Sequence, residues 1–151
     1  MKLEEVRWSE NFAYNEFPGE VIKWIEPSLL QLLVELRERT GVFMEPSQLE
    51  RAHARSEEST SQHSTMNWTI KSKASDMQTN NMEHMLAIFT QAQRIKGFGG
   101  IGVYFDTNRP TLHFDIRESR VLWVRDHFGV YHSDAVPSTF YRELGNCIDR
   151  S

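Results

Sequence analysis

The chain has a single cysteine, Cys147. That excludes an internal disulfide and a cysteine-rich zinc knuckle, so any metal must be held by nitrogen and oxygen. No apolar run approaches the length needed to span a bilayer. The opening residues, Met1-Lys2-Leu3-Glu4-Glu5-Val6, lack the apolar stretch of a secretion signal, so none is expected. A basic surplus is missing as well. The formal net charge is −4, which argues against a dedicated nucleic-acid binder. What remains is ordinary for a soluble globular protein: 151 residues, 39% hydrophobic and 25% charged, enough for one domain with its own core. No repeat or linker divides residues 1–151, which read as one domain carrying a polar insertion at about 45–72.

The apolar pattern predicts three helices. Ser9 offers a cap ahead of Phe12 and Phe17, and Pro18-Gly19 breaks that first segment. Leu29, Leu30, Leu32, Leu33 and Leu36 form a wide apolar face, with Arg37 and Arg39 in the last turn and Gly41 as the stop. Met82, Met85, Leu86, Phe89 and Ala92 recur at helical spacing between about 81 and 95, with Asn80 or Asn81 as cap and Gly97 as the end. Val42-Phe43-Met44 is a candidate short strand. Residues 45 to 76 are polar and read as a long irregular segment, with a short helix around 48 to 55. Such a loop is either functional or a plain surface excursion.

Gly97-Phe98-Gly99-Gly100-Ile101-Gly102 resembles a phosphate loop only in its glycines, since no helix and no Lys-Ser/Thr pair follow. It reads better as a turn feeding a strand over 101–105. Asp106-Thr107-Asn108-Arg109-Pro110 has turn chemistry. A return strand over 111–117 and another over 119–124 then predict a small antiparallel meander. In the return strand Leu112, Phe114 and Ile116 share one face, and His113, Asp115 and Arg117 share the other. That polar face suits either an active site or a solvated surface. His127 and His132, in the tail, read as surface histidines.

His63, Asp76 and His113 are the residues with the most chemistry to offer. Two imidazoles and a carboxylate leave one tetrahedral position of a zinc ion open for water, as a hydrolytic site requires. They lie far apart in sequence, so only a fold brings them together.

The order of these features resembles a known family. Ser61-Gln62-His63, then Ala74-Ser75-Asp76, a helix, Gly99-Gly100-Ile101-Gly102-Val103-Tyr104, and His113-Phe114-Asp115-Ile116-Arg117 are similar to the zinc D-Ala-D-Ala carboxypeptidase and L-alanyl-D-glutamate endopeptidase family. Its members are small bacterial and phage enzymes that cut peptidoglycan stem peptides. The likeness runs from about Trp8 to Trp123. It implies an α+β fold, a small antiparallel sheet packed with helices, and zinc held by His63, Asp76 and His113. It implies a peptidoglycan peptide as substrate and a phage or prophage context. The protein would then work from the host cytoplasm before release, or as part of a virion. A virion or assembly partner follows if the fold has outlived its chemistry.

Three departures from the family pattern bear on the site. The tight spacing Ser-x-His-x-x-Gly-x-Ala-x-Asp is interrupted here by residues 64–70, and Ser72 stands where the glycine belongs. The two ligands converge only if that loop projects outward. The family's substrate-side arginine is not recognisable, leaving Arg51 or Arg55 as substitutes beside Ser61. The position three before His113, where several members place a catalytic acid, is Pro110. Asp115 is then the first candidate carboxylate. It can serve as base, orient His113, or form a salt bridge on the Arg117 side. Asp106 is the other candidate base.

Overall fold

The structure, a computed structural model, describes residues 16–151. The helix expected to start at Ser9 lies largely outside them; Glu16 and Phe17 are the part that is described. The fold is α+β: six strands in one mixed sheet, with three helices. The strands are β1 (Glu45–Pro46), β2 (Ala74–Gln78), β3 (Gly100–Tyr104), β4 (Thr111–Asp115), β5 (Val121–Arg125) and β6 (Tyr131–Ser133), in the order β1-β2-β4-β3-β5-β6.

Helix α1 (Pro27–Thr40) starts with proline in its first turn, where the missing N–H costs nothing. It ends at Gly41, whose φ of 63° lets its N–H reach back to the Arg37 carbonyl. Leu29, Leu30, Leu33 and Leu36 are buried. Helix α2 (Met82–Ala92) is capped by Asn81, which accepts from the His84 N–H at 2.8 Å. It stops at Ala92, short of the expected end near Ile95, and a looser turn carries Ile95 into the core. Helix α3 (Pro137–Asp149) was not expected. Its buried residues, Phe140 and Cys147, lie two turns apart on one face.

The expected meander is corrected. β3 and β4 are antiparallel neighbours, but β5 pairs with β3, in parallel, and never with β4. The chain therefore leaves β4, steps across the end of β3, and returns on its far side. Gly99 makes that crossing possible. A Cβ there would lie 2.0 Å from the Arg117 carbonyl oxygen, so only glycine lets the crossing chain sit down on the strand.

Two further expectations shift. The short strand is Glu45–Pro46 rather than 42–44. The polar segment is irregular for most of its length, but it is pinned and ends in β2. A 3-10 turn covers Glu50–Ala52. Isolated bridges join Arg55 to Ser64 and Ile25 to Ser72. Thr65 is fully buried: its hydroxyl donates to the Arg55 carbonyl at 2.8 Å and accepts from the Trp68 N–H at 3.0 Å. The next three residues, Met66, Asn67 and Trp68, have φ of 47°, 56° and 62°. Such left-handed backbone is costly away from glycine and persists only where neighbours hold it. Here the Thr65 bonds and the packing of Trp68 on Trp24, 5.0 Å between centroids, do so.

One apolar core lies on a single side of the sheet, where Met77, Leu112, Phe114, Ile101, Val103, Leu122 and Val124 meet the helices. Strand alternation sends Asp76, His113, Asp115, Tyr104, Trp123 and Arg125 to the opposite side. No helix among the described residues is long and apolar enough to cross a membrane.

Candidate metal centre

Asp76 and His113 are directly opposed in the β2–β4 register. Opposed residues share a face with their side chains side by side, so the sheet itself builds two-thirds of the trio. His63 arrives from the polar segment. Its backbone N–H donates to Ser61 Oγ at 3.2 Å, and its carbonyl accepts from Arg55 N–H at 2.9 Å. Residues 66–70 are exposed, and the three side chains converge.

The distances are short. His113 Nδ1 lies 3.1 Å from Asp76 Oδ1 and 3.2 Å from His63 Nε2, which in turn lies 3.4 Å from Asp76 Oδ1. The far nitrogens fix the tautomers. His63 Nδ1–H donates to the His53 carbonyl at 3.2 Å, and His113 Nε2–H donates to Asp115 Oδ2 at 2.8 Å. Both remaining ring nitrogens then turn bare lone pairs toward a carboxylate oxygen. Three acceptors facing one point repel unless a cation or proton sits among them. These residues could therefore hold a metal ion through two nitrogens and one oxygen.

Without metal, protons respond to the same crowding. Burial opposes charge on His113, but bonds to Asp115 and Asp76 outweigh it and raise its pKa. Burial also opposes charge on Asp76, yet bonds from His113 and His63 hold its carboxyl far below the usual range.

Asp115 is fully buried. Its Oδ1 accepts from Gly100 N–H at 2.7 Å and from Arg117 N–H and Nε–H at 3.1 and 2.9 Å; its Oδ2 takes His113 and Arg117 Nη2–H at 2.6 Å. With every lone pair engaged and no face on the cleft, it cannot accept a proton from an attacking water. Of the roles open to it, it orients His113 and pairs with Arg117. Asp106 lies apart from the trio: its Oδ1 accepts from Arg125 Nε–H at 2.7 Å, and it is not among the residues lining the cleft.

The cleft over the trio has a volume of about 250 Å³ and is lined by Arg55, Ser61, Tyr104, Trp123 and Arg125 among others. A second lobe of about 240 Å³ adjoins it and shares Arg55, Asp76, Tyr104 and Arg125, while Arg51 lines only that lobe. Arg55 thus reaches both lobes. Its Nε–H donates to the Arg51 carbonyl at 2.8 Å, and its guanidinium is 3.6 Å from Glu57, so its outer N–H groups are loosely held.

Two glycines of the Gly-rich run make room for this centre. A Cβ on Gly100 would lie 2.3 Å from Asp115 Oδ2, and one on Gly102 would lie 2.3 Å from Trp123 Nε1. Trp123 leans across Gly102 onto His113, with ring centroids 4.9 Å apart.

Sequence reading missed His53, Tyr104, Trp123 and Arg125. No spacing signal marks His53, because its carbonyl does the holding. Its ring is buried and neutral: Nε2–H donates to the Ser47 carbonyl at 2.7 Å, and Nδ1 accepts from Ser75 Oγ–H at 2.6 Å. His132 also departs from expectation. It is partly buried and bonds Asp126 at 2.9 Å, with Glu143 nearby. Asp126 Oδ1 is already engaged by the Phe128 and Val130 N–H groups, so the pair closes the β5–β6 turn.

Burial lowers the His53 pKa from 6.5 to about 4, against the pull of the Ser47 carbonyl. Between those values the unfolded chain takes up a proton that the folded chain refuses, so stability falls as pH drops. The loss is up to about 3 kcal/mol. Other shifted groups act elsewhere. The lowered carboxylates Asp76 and Asp115 lose their contribution only below the ordinary carboxylate pKa, and the raised His113 loses its own only as pH rises through its folded value. Urea unfolding of metal-free protein should show a drop of about 2 to 3 kcal/mol from pH 6.5 to 4.5. His53→Gln should flatten that slope, and an unchanged slope would assign the loss to other groups.

No protein-family model matches the chain, and no curated protein or solved structure gives a significant match.

Proposed function

We propose that this protein is a zinc-dependent peptidase that hydrolyses peptide bonds in peptidoglycan stem peptides, with the helix-backed sheet of the zinc D-Ala-D-Ala peptidase type. The observation that carries this reading is the His63–Asp76–His113 trio at the floor of an open, arginine-lined cleft. Zinc–nitrogen bonds of 2.0–2.1 Å in a tetrahedron separate ligand atoms by about 3.3 Å, and the observed separations are 3.1, 3.2 and 3.4 Å. A metal held by these three would keep an open position for water, and all three residues line the cleft.

Bound zinc supplies Lewis acidity and lowers the pKa of a water in its open position. The chain's own residues do the rest. His63, Asp76 and His113 would hold the ion, and the His53 carbonyl and Asp115 fix the tautomers of the two imidazoles. Arg55 and Arg51 offer charge to the free carboxylates of a peptide stem, and Ser61 borders the same cleft. Asp76 is the only carboxylate lining either lobe among the described residues, and its Oδ2 takes no hydrogen bond there. It is the proton acceptor within reach of an attacking water. Such an enzyme suits a phage or prophage, in lysis or wall penetration.

That same observation supports a second reading. A carboxylate held so far below its usual pKa is a weak base. A descendant that keeps the fold and metal as a virion or assembly protein needs no base at all.

Purified cell walls distinguish the two. The peptidase should release stem-peptide fragments, stop when a chelator is added, and resume when zinc is restored. A folded, zinc-loaded protein that releases nothing from several wall types would sink the peptidase reading and favour the descendant.

A further inference from the structure

Trp123 is nine-tenths buried, and its indole N–H is out of solvent with no hydrogen-bond partner. Leaving a buried donor unpaired is costly. Folded proteins keep few of these, and each calls for a reason. This one sits on the wall of the cleft, in contact with a ligand imidazole. It shares that wall with Tyr104, two residues along β3 from the Gly102 that Trp123 opposes.

Tyr104 is placed at the junction of the cleft. It lines both lobes, on the sheet face that carries Asp76 and His113. The Arg125 guanidinium lies 3.9 Å over its ring, and Tyr131 meets it edge-on at 6.4 Å, so the ring plane is set. Among the described residues its hydroxyl donates to no group. Of the cationic donors on this wall, Arg117 gives Nε–H and Nη2–H to Asp115, Arg125 gives Nε–H to Asp106 and Nη1–H to the Tyr131 hydroxyl, and Arg55 is left to the free carboxylates of the stem.

We propose that the Tyr104 hydroxyl donates to the carbonyl oxygen of the scissile peptide, with the Trp123 N–H behind it setting the direction of that donation. The inference rests on the peptidase reading. As water adds to the carbonyl carbon, the π pair moves onto oxygen, and Tyr104 O–H tightens on the developing charge without losing its proton. When the C–N bond breaks, the pair returns to carbon–oxygen, and the amine leaves with a proton that came from the water. A phenol keeps its proton at neutral pH, so Tyr104 is a donor there. The Trp123 N–H makes no hydrogen bond in the free protein and closes on the hydroxyl oxygen when substrate draws it into line, as donor networks in free active sites do. Tyr104 is then a catalytic residue and Trp123 a positioning residue.

The test compares Tyr104→Phe, Trp123→Phe and the unaltered zinc-loaded protein. It uses a soluble stem peptide, its cleavage product, and an analogue with phosphinate in place of the scissile amide. Tyr104→Phe should keep its zinc, hold KM within about twofold, and lose about 100-fold in kcat, the usual scale for one oxyanion donor. Phosphinate affinity should fall by about the same factor while product affinity stays put. Trp123→Phe should lose about tenfold in kcat. In the unaltered protein, the indole N–H proton resonance that Trp123→Phe removes should shift on phosphinate binding. Wild-type kcat and phosphinate affinity in zinc-loaded Tyr104→Phe would overturn this inference alone. If the unaltered protein cleaves no stem peptide, the peptidase reading falls and the inference falls with it.

Discussion

Replacing His113 by alanine is expected to leave less than about one-tenth of a zinc per chain and to cut stem-peptide hydrolysis by at least about 1,000-fold, while the protein still folds. The remaining pair, His63 Nε2 and Asp76 Oδ1, is 3.4 Å apart and offers only two donors, too few for a stable site in competition with water. Folding survives because Asp115 keeps its bonds to Gly100 and Arg117, so no buried charge is stranded. Trp123 loses a stacking partner, and the gap opens onto the cleft where water can enter. His63→Ala should behave the same way at lower cost, since His63 hangs on an irregular segment. Elemental analysis and fragment release settle the point together. Full zinc or full activity in either variant would remove these histidines from the site.

Asp115→Ala is expected to produce the largest loss of stability of any single change at this centre, about 3 kcal/mol. Truncation leaves the Gly100 N–H and the His113 Nε2–H buried without acceptors, at about 1–3 kcal/mol each. Arg117 adds less, because its side chain is 36% exposed and can turn to water. Zinc affinity should fall about 10- to 100-fold as His113 loses the group that fixes its tautomer. Asp115→Asn makes a sharper comparison. An asparagine oxygen still accepts from Gly100 and Arg117, but its amide then faces His113 Nε2 as a donor. The imidazole must shift its proton to Nδ1, into the metal position. The asparagine variant should therefore be the more stable protein and the poorer zinc binder. Urea unfolding and zinc competition measure the two quantities separately, and parallel losses in both variants would refute the orienting role.

The sequence made the helices legible where apolar residues recur through consecutive turns, as with Leu29 to Leu36. The alternation of Leu112, Phe114 and Ile116 against His113 and Asp115 also read correctly as a core face beside a polar face. β2 was not legible. Ala74-Ser75-Asp76-Met77-Gln78 has no β-branched residue, and it is a strand only because β1 and β4 pair with it on either side. The parallel placement of β5 is equally non-local, since short spacing after β4 suggests a hairpin. One clue was available in Gly99-Gly100-Ile101-Gly102, a strand start too poor in side chains to pack by itself. At the site, a spacing argument points to ligand residue types. It does not point to His53, whose part is played by a main-chain carbonyl, or to Tyr104 and Trp123, which look like ordinary core aromatics.

The crossing of β3 ties chemistry to connectivity. Asp115 ends β4 and Arg117 lies in the step over the neighbouring strand; Gly99 and Gly100 are the backbone they cross. The residues that thread the chain from one side of the sheet to the other are thus the residues that aim the imidazole. The loop that follows His63 could change length and leave these contacts intact. Rerouting the strands would dismantle the orientation of His113. Connectivity and the aim of the imidazole are therefore one property of this fold.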